Sequence, residues 1–66
     1  MSVAKVIEIH AEGKTIENAV EVALAEASKT VEQIRAIYVQ DIQALVSNNK
    51  ITGYRINAKL TFVVKS

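Results

Sequence analysis

The chain contains no cysteine, so neither a disulfide nor a thiolate metal site is available to hold it together. No apolar run approaches the ~18 residues of a membrane-spanning helix, and no signal-peptide pattern is visible. An excess of one charge is also missing: eight Lys and Arg against seven Asp and Glu leave a net charge of +1. That balance excludes a strong pull toward nucleic acid or an anionic membrane. Glycine occurs only at Gly13 and Gly53. The two are isolated, so they read as turn or strand-boundary residues and not as a phosphate-cradling loop. The single histidine, His10, has no second His, Cys or carboxylate cluster to make a ligand set or a catalytic base. It reads as a strand-end residue on a polar or interface face. Glu17, Glu21, Glu26 and Glu32 are dispersed without calcium-loop spacing and read as a solvated face. No Ser/His/Asp arrangement can be drawn with geometry behind it, so an enzyme is not expected. A soluble, cytoplasmic protein is.

Against these absences stands an abundance of apolar residues, half of the 66. A chain this short makes one domain, here residues 1–66, and buries only roughly 60% of its unfolded surface. Its hydrophobic content therefore exceeds what a lone core absorbs, which points to a homo-oligomer.

The organising stretch runs from Thr15 to about Lys29. Ile16, Ala19, Val20, Ala23, Leu24 and Ala27 recur at three- and four-residue spacings, the mark of one buried helical face. Thr15 is placed to cap the helix, and Glu17 adds negative charge at its positive end. The segment has neither Gly nor Pro, so propensity agrees with pattern. Before it, Val3 to Ala11 reads as a strand, and Glu12–Gly13–Lys14 as the turn into the helix. After it, Thr30 to Ile34 is a connector and Arg35 to Val46 a second strand. Strict alternation divides that strand into Arg35, Ile37, Val39, Asp41, Gln43 and Leu45 on one face, and Ala36, Tyr38, Gln40, Ile42, Ala44 and Val46 on the other. Both sets mix apolar and polar residues, which predicts a covered inner side and an outer side between subunits. Ser47–Asn48–Asn49–Lys50 is a turn cluster.

The last strand, Gly53 to Val64, is the clearest. Tyr54, Ile56, Ala58, Leu60, Phe62 and Val64 face the helix, and Arg55, Asn57, Lys59, Thr61, Val63 and Lys65 face away. The result is an α+β fold of β-α-β-β order. Its three-stranded antiparallel sheet, in order 1-3-2, wraps one amphipathic helix. Such a sheet exposes edges and one face, which again argues for assembly. Arg55, Lys59 and Lys65 form a basic strand face. Without interleaved aromatics it makes a poor nucleic-acid platform, and a weak nucleic-acid binder is the least favoured reading.

The opening strand AKVIEI, the helix TIENAVEVALAEASKTVEQI, the strand AIYV and the tyrosine-led YRINAKLTFVV together resemble the dodecins, small flavin-binding proteins. The resemblance covers nearly the whole chain. It implies a hollow homododecamer that holds paired flavins, FMN or riboflavin, at subunit interfaces for storage or sequestration, without turnover. It also implies which positions meet the ligand. In flavin-binding dodecins a tryptophan opens the second strand and stacks on the isoalloxazine, and a glutamine after the tyrosine of the last strand bonds the ring's polar edge. Those positions are Ala36 and Arg55 here. The chain has no Trp, and loss of that platform removes about 0.5–1.5 kcal/mol of stacking beyond burial. A donor-only guanidinium also replaces an amide that donates and accepts. Tyr38, on the same face as Ala36 and about 7 Å along the strand, is the natural substitute for stacking. Arg55 offers a flat cation. The candidate ligand-binding residues are Arg35, Ala36, Tyr38 and Arg55, and the ligand class is a flat aromatic small molecule. The alternatives are that Tyr38 fills an interface while Arg55 pairs with Asp41 or Glu8 of a neighbour, and that the assembly has lost flavin and serves as a scaffold or binds something else.

Overall fold

A computed structural model describes the backbone of residues 2–65 and the side chains of residues 3–64. Lys65, the third position of the expected basic face, therefore lies outside the described side chains. The elements are β1 (Ser2–Gly13), α1 (Ile16–Ala27), β2 (Ile34–Ser47) and β3 (Lys50–Lys65). All pairings are antiparallel and the sheet order is β1-β3-β2, as the alternation in the last strand implies. The long strands draw the chain out to 52 Å.

Local chemistry fixes the ends of α1. The Thr15 hydroxyl accepts the Asn18 N–H at 2.9 Å, and Asn18 Oδ1 reaches back to accept the Lys14 N–H at 3.1 Å. One orphan donor of the first turn, the Asn18 N–H, and the Lys14 N–H just before the cap are thus satisfied reciprocally. The helix ends at Ala27, two residues short of the expected Lys29. The amides of Lys29 and Thr30 turn back to the carbonyls of Glu26 and Ala27 at 3.3 and 3.2 Å. Gln33 then takes a left-handed φ of 57°, and its carbonyl accepts the Val63 N–H at 3.3 Å. This hook starts β2 beside the far end of β3.

Ala19, Ala23 and Ala27 are the buried positions of the helix. Their small side chains let it lie close on the sheet, where Ala11, Ile56 and Ala58 complete the core cluster. Ile56 and Leu60 are fully buried, contributing roughly 1.5–3 kcal/mol each. Two residues expected in the buried stripe behave differently: Ile16 and Leu24 remain 41% and 42% exposed. The alanine stripe seats the helix over β1 and β3 and barely over β2, so the bulkier residues fall along its flanks.

The two faces of β2 also depart from strict alternation. Val39 pairs with Ala58, yet Asp41 pairs with Asn57, leaving Gln40 as an extra residue. This bulge reverses the side-chain phase. Ile37 and Val39 face the helix side before it, and Ile42 and Ala44 do so after it. Ala36 and Tyr38, then Asp41 and Gln43, share the outer face. The mixed character of both expected sets follows from one inserted residue. A second bulge at Arg35 separates Ile34, opposite Phe62, from Ala36, opposite Thr61. The β2–β3 hairpin closes through Asn48 and Asn49 at φ 52° and 62°, both positive as a two-residue type I′ connection requires.

β1 continues through Glu12 and Gly13 instead of turning there, and Gly53 lies within β3, not at its boundary. Both glycines serve close approach. A Cβ at Gly13 would stand 2.5 Å from the Ala19 nitrogen and 2.7 Å from Asn18 Oδ1, against the helix's first turn. Gly13→Ala is therefore expected to lower unfolding stability by about 1–3 kcal/mol, outweighing the ~0.4–1 kcal/mol gained from a stiffer unfolded chain. Urea unfolding of the assembled protein reads this as an earlier midpoint. An unshifted midpoint would mean that the helix start yields freely.

Candidate ligand-binding face

The sheet face turned away from α1 is ordered in cross-strand rows. Read from β1 through β3 to β2, they are Val6–Thr61–Ala36, Glu8–Lys59–Tyr38, His10–Asn57–Asp41 and Glu12–Arg55–Gln43. Their order along β3 follows from its period-2 alternation, and the Gln40 bulge keeps Asp41 and Gln43 in line with Tyr38. Only the Val6–Thr61–Ala36 end is without charge; Tyr38 stands in the next row, beside Lys59 and Glu8.

Three of the four candidate residues expected from sequence share this face. Ala36 and Tyr38 occupy successive rows, and Tyr38 is 65% exposed, a large aromatic surface flanked on its own strand by the Ala36 methyl group on one side and Asp41 on the other. Arg55 lies on the same face but two rows from Tyr38, about 13 Å along the strand, so within one chain the two do not meet. Arg35 sits at the bulge that opens β2, without a ladder partner.

Arg55 is held inside its own chain. Its Nε and Nη2 both donate to Glu12 Oε2, at 3.1 and 2.9 Å. Within the chain the partner is Glu12, because β1 runs on to Gly13 and sets Glu12 directly opposite Arg55. In the adjacent row Asn57 Nδ2 donates to Asp41 Oδ2 at 3.3 Å, which occupies that carboxylate locally. His10 Nε2 lies 3.4 Å from Glu8 Oε2, a long and exposed contact. A shallow depression of about 260 Å³ opens beside Arg55, lined by Asp41, Ile42, Gln43, Arg55 and Asn57. A wider hollow of about 530 Å³ lies at the helix exit, between Thr30–Gln33 and Phe62–Val64. Among the described residues no group of three or more His, Cys, Asp and Glu is placed to hold a metal ion.

Sequence reasoning placed Asn57 beside Arg55 on the outward face of β3 but missed Glu12, Asp41 and Gln43 as parts of the same polar surface. The first had a signal: Glu8, His10 and Glu12 continue a period of two beyond Ala11. Asp41 and Gln43 were hidden by the bulge. The Glu12–Arg55 pair is half-exposed on both sides, where ion pairs stabilise little. A double-mutant cycle with Glu12→Ala and Arg55→Ala is expected to give a coupling below about 1 kcal/mol in unfolding free energy. A coupling of several kcal/mol would assign the pair to folding.

The comparisons with known proteins agree with this architecture. The dodecin family model matches residues 3–65. The crystal structure of a Thermus thermophilus protein is similar at 22% identity and a TM-score of 0.92, covering 100% of this chain and 98% of that one. A tryptophan-to-phenylalanine variant of the T. thermophilus dodecin is similar at 22% identity and a TM-score of 0.91, with 100% of both chains covered. The dodecin from Streptomyces davaonensis has 15% identity and a TM-score of 0.90, over 98% of this chain and 97% of its own. At these identities the likeness is one of fold. No curated protein matches. The family match, which takes in nearly the whole chain, carries the assignment: this chain belongs to the dodecin family.

Proposed function

We propose that the protein is a non-enzymatic homododecamer that binds a flat aromatic ligand, FMN or riboflavin, at its subunit interfaces and sequesters it. The observation that carries this reading is Tyr38, widely exposed beside Ala36 on the uncovered sheet face of a dodecin-family chain. Ala36 clears the space in front of the strand's start, and the tyrosine ring one row on supplies a stacking surface. Exposed Ile42, Val46 and Ile51 on the β2–β3 hairpin, with Ile16, Val22 and Leu24 on the helix, support assembly, because such apolar surface is stabilised by a second layer. Among the described residues no helix is long and apolar enough to cross a membrane.

A second reading has its own observation. Ala36 stands where flavin-binding dodecins carry the stacking tryptophan, and Arg55 is engaged by Glu12. In this reading the same shell serves as a scaffold or holds another ligand.

Size-exclusion chromatography with light scattering, followed by flavin titration of the eluted peak, separates the two. The first reading expects a roughly 12-subunit particle, of which each chain is 7.2 kDa, that quenches flavin fluorescence at micromolar concentration or below. Tyr38→Ala is expected to keep the particle and weaken binding about tenfold. A particle that quenches nothing would favour the second reading. A stable folded monomer would remove the basis of both.

A further inference from the structure

The Glu12–Arg55 pair has the chemistry of a recognition element. Both of its hydrogen bonds end on one carboxylate oxygen, Oε2. Glu12 Oε1 accepts no hydrogen bond among the described residues, and Arg55 Nη1 donates none. Glu12 therefore keeps an acceptor and Arg55 keeps donors that no other described residue uses, on the outer face, with Arg55 lining the depression shared with Asp41, Gln43 and Asn57.

Arginine alone carries donors only. It can meet a ligand's carbonyl oxygens, but it turns N–H against any ring N–H placed between them. Many planar heterocycles have such an edge: in a lactam a ring N–H adjoins one carbonyl, and in an imide it lies between two. The pyrimidine edge of a flavin is an imide. A carboxylate locked to the guanidinium supplies the missing acceptor, and the ion pair keeps the two in register. The geometry points to Glu12, acting with Arg55, as the reader of a lactam or imide edge on the ligand. This inference rests on the reading of the outer face as a site for a flat aromatic ligand, and it deepens that reading by naming the edge and the residue that selects it.

The low stability contribution expected of the pair leaves folding an insufficient reason for it. Its location has a further consequence. Glu12 and Arg55 are carried by β1 and β3, whereas Ala36 and Tyr38 are carried by β2. Edge recognition and stacking can therefore be altered separately.

The test compares riboflavin with its N3-methyl derivative, in which the imide N–H is replaced and the flat ring retained. Both are titrated against the assembled wild-type protein by fluorescence quenching. Wild type is expected to bind riboflavin about tenfold tighter, the fold-change of one hydrogen bond made to a charged acceptor. Glu12→Ala is expected to bring the two affinities within about twofold, because the acceptor is gone and the space for the methyl group is open. Glu12→Gln keeps an acceptor oxygen and is expected to retain most of the preference. Equal binding of the two flavins by wild type would overturn the role of Glu12 while leaving flavin binding intact. A preference undiminished in Glu12→Ala would do the same, by tracing the discrimination to shape. Binding of neither flavin would overturn this inference together with the reading on which it rests. If Glu12→Ala fails to assemble, Glu12→Gln and the wild-type comparison remain, and equal binding of the two flavins by wild type overturns the inference without any variant.

Discussion

The close approach of α1 to β1 and β3 governs the rest of the molecule. Alanines at 19, 23 and 27 leave so little side chain between helix and sheet that Ile56, Ala58 and Leu60 are sealed beneath them. A stripe of larger residues would stand the helix off and let it shade β2 as well. The narrow contact instead commits the helix to half of the sheet. It leaves the hairpin end of β2 and the whole outer face to other uses. Burial is thus concentrated and economical, in a chain too short to enclose a wide core.

Much of this was legible from the residues. The helix follows from its apolar spacing and its Thr15 cap, and β3 from a period of two kept over twelve residues. Once β3 is accepted as the central strand, the 1-3-2 order leaves few alternatives. What escaped has identifiable causes. Bulges are local insertions that reveal themselves by pairing, so Gln40 and Arg35 carry no compositional mark, and the faces of β2 were drawn as if the strand were regular. Ile16 and Leu24 satisfy the helical period, but period gives the direction of a stripe and not its width. Which part is covered depends on where the sheet ends.

The candidate site was legible in part for the same reasons. Ala36 and Tyr38 lie between the two bulges, where regular alternation holds, and they share a face as expected. Arg55 lies on regular β3 and was placed correctly. Its partner within the chain was not foreseen, because Glu12 precedes a glycine and reads as turn. Gly13 does not end the strand; it lets the helix's first turn press against the strand's last residue. A residue that resembles punctuation is a packing device.

The inserted residue at Gln40 does more than bend β2. It acts as a phase reset that joins two strand segments of opposite parity into one continuous working surface, aromatic on one side of the reset and polar on the other. Were Gln40 taken into the regular ladder, Ile42 and Ala44 would rotate to the outer face, and Asp41 and Gln43 would turn under the sheet. When related chains are compared, a one-residue gap at this point is therefore tolerable, because it removes the bulge and keeps the facing of everything that follows. The same gap in a regular stretch of the strand would exchange inside and outside.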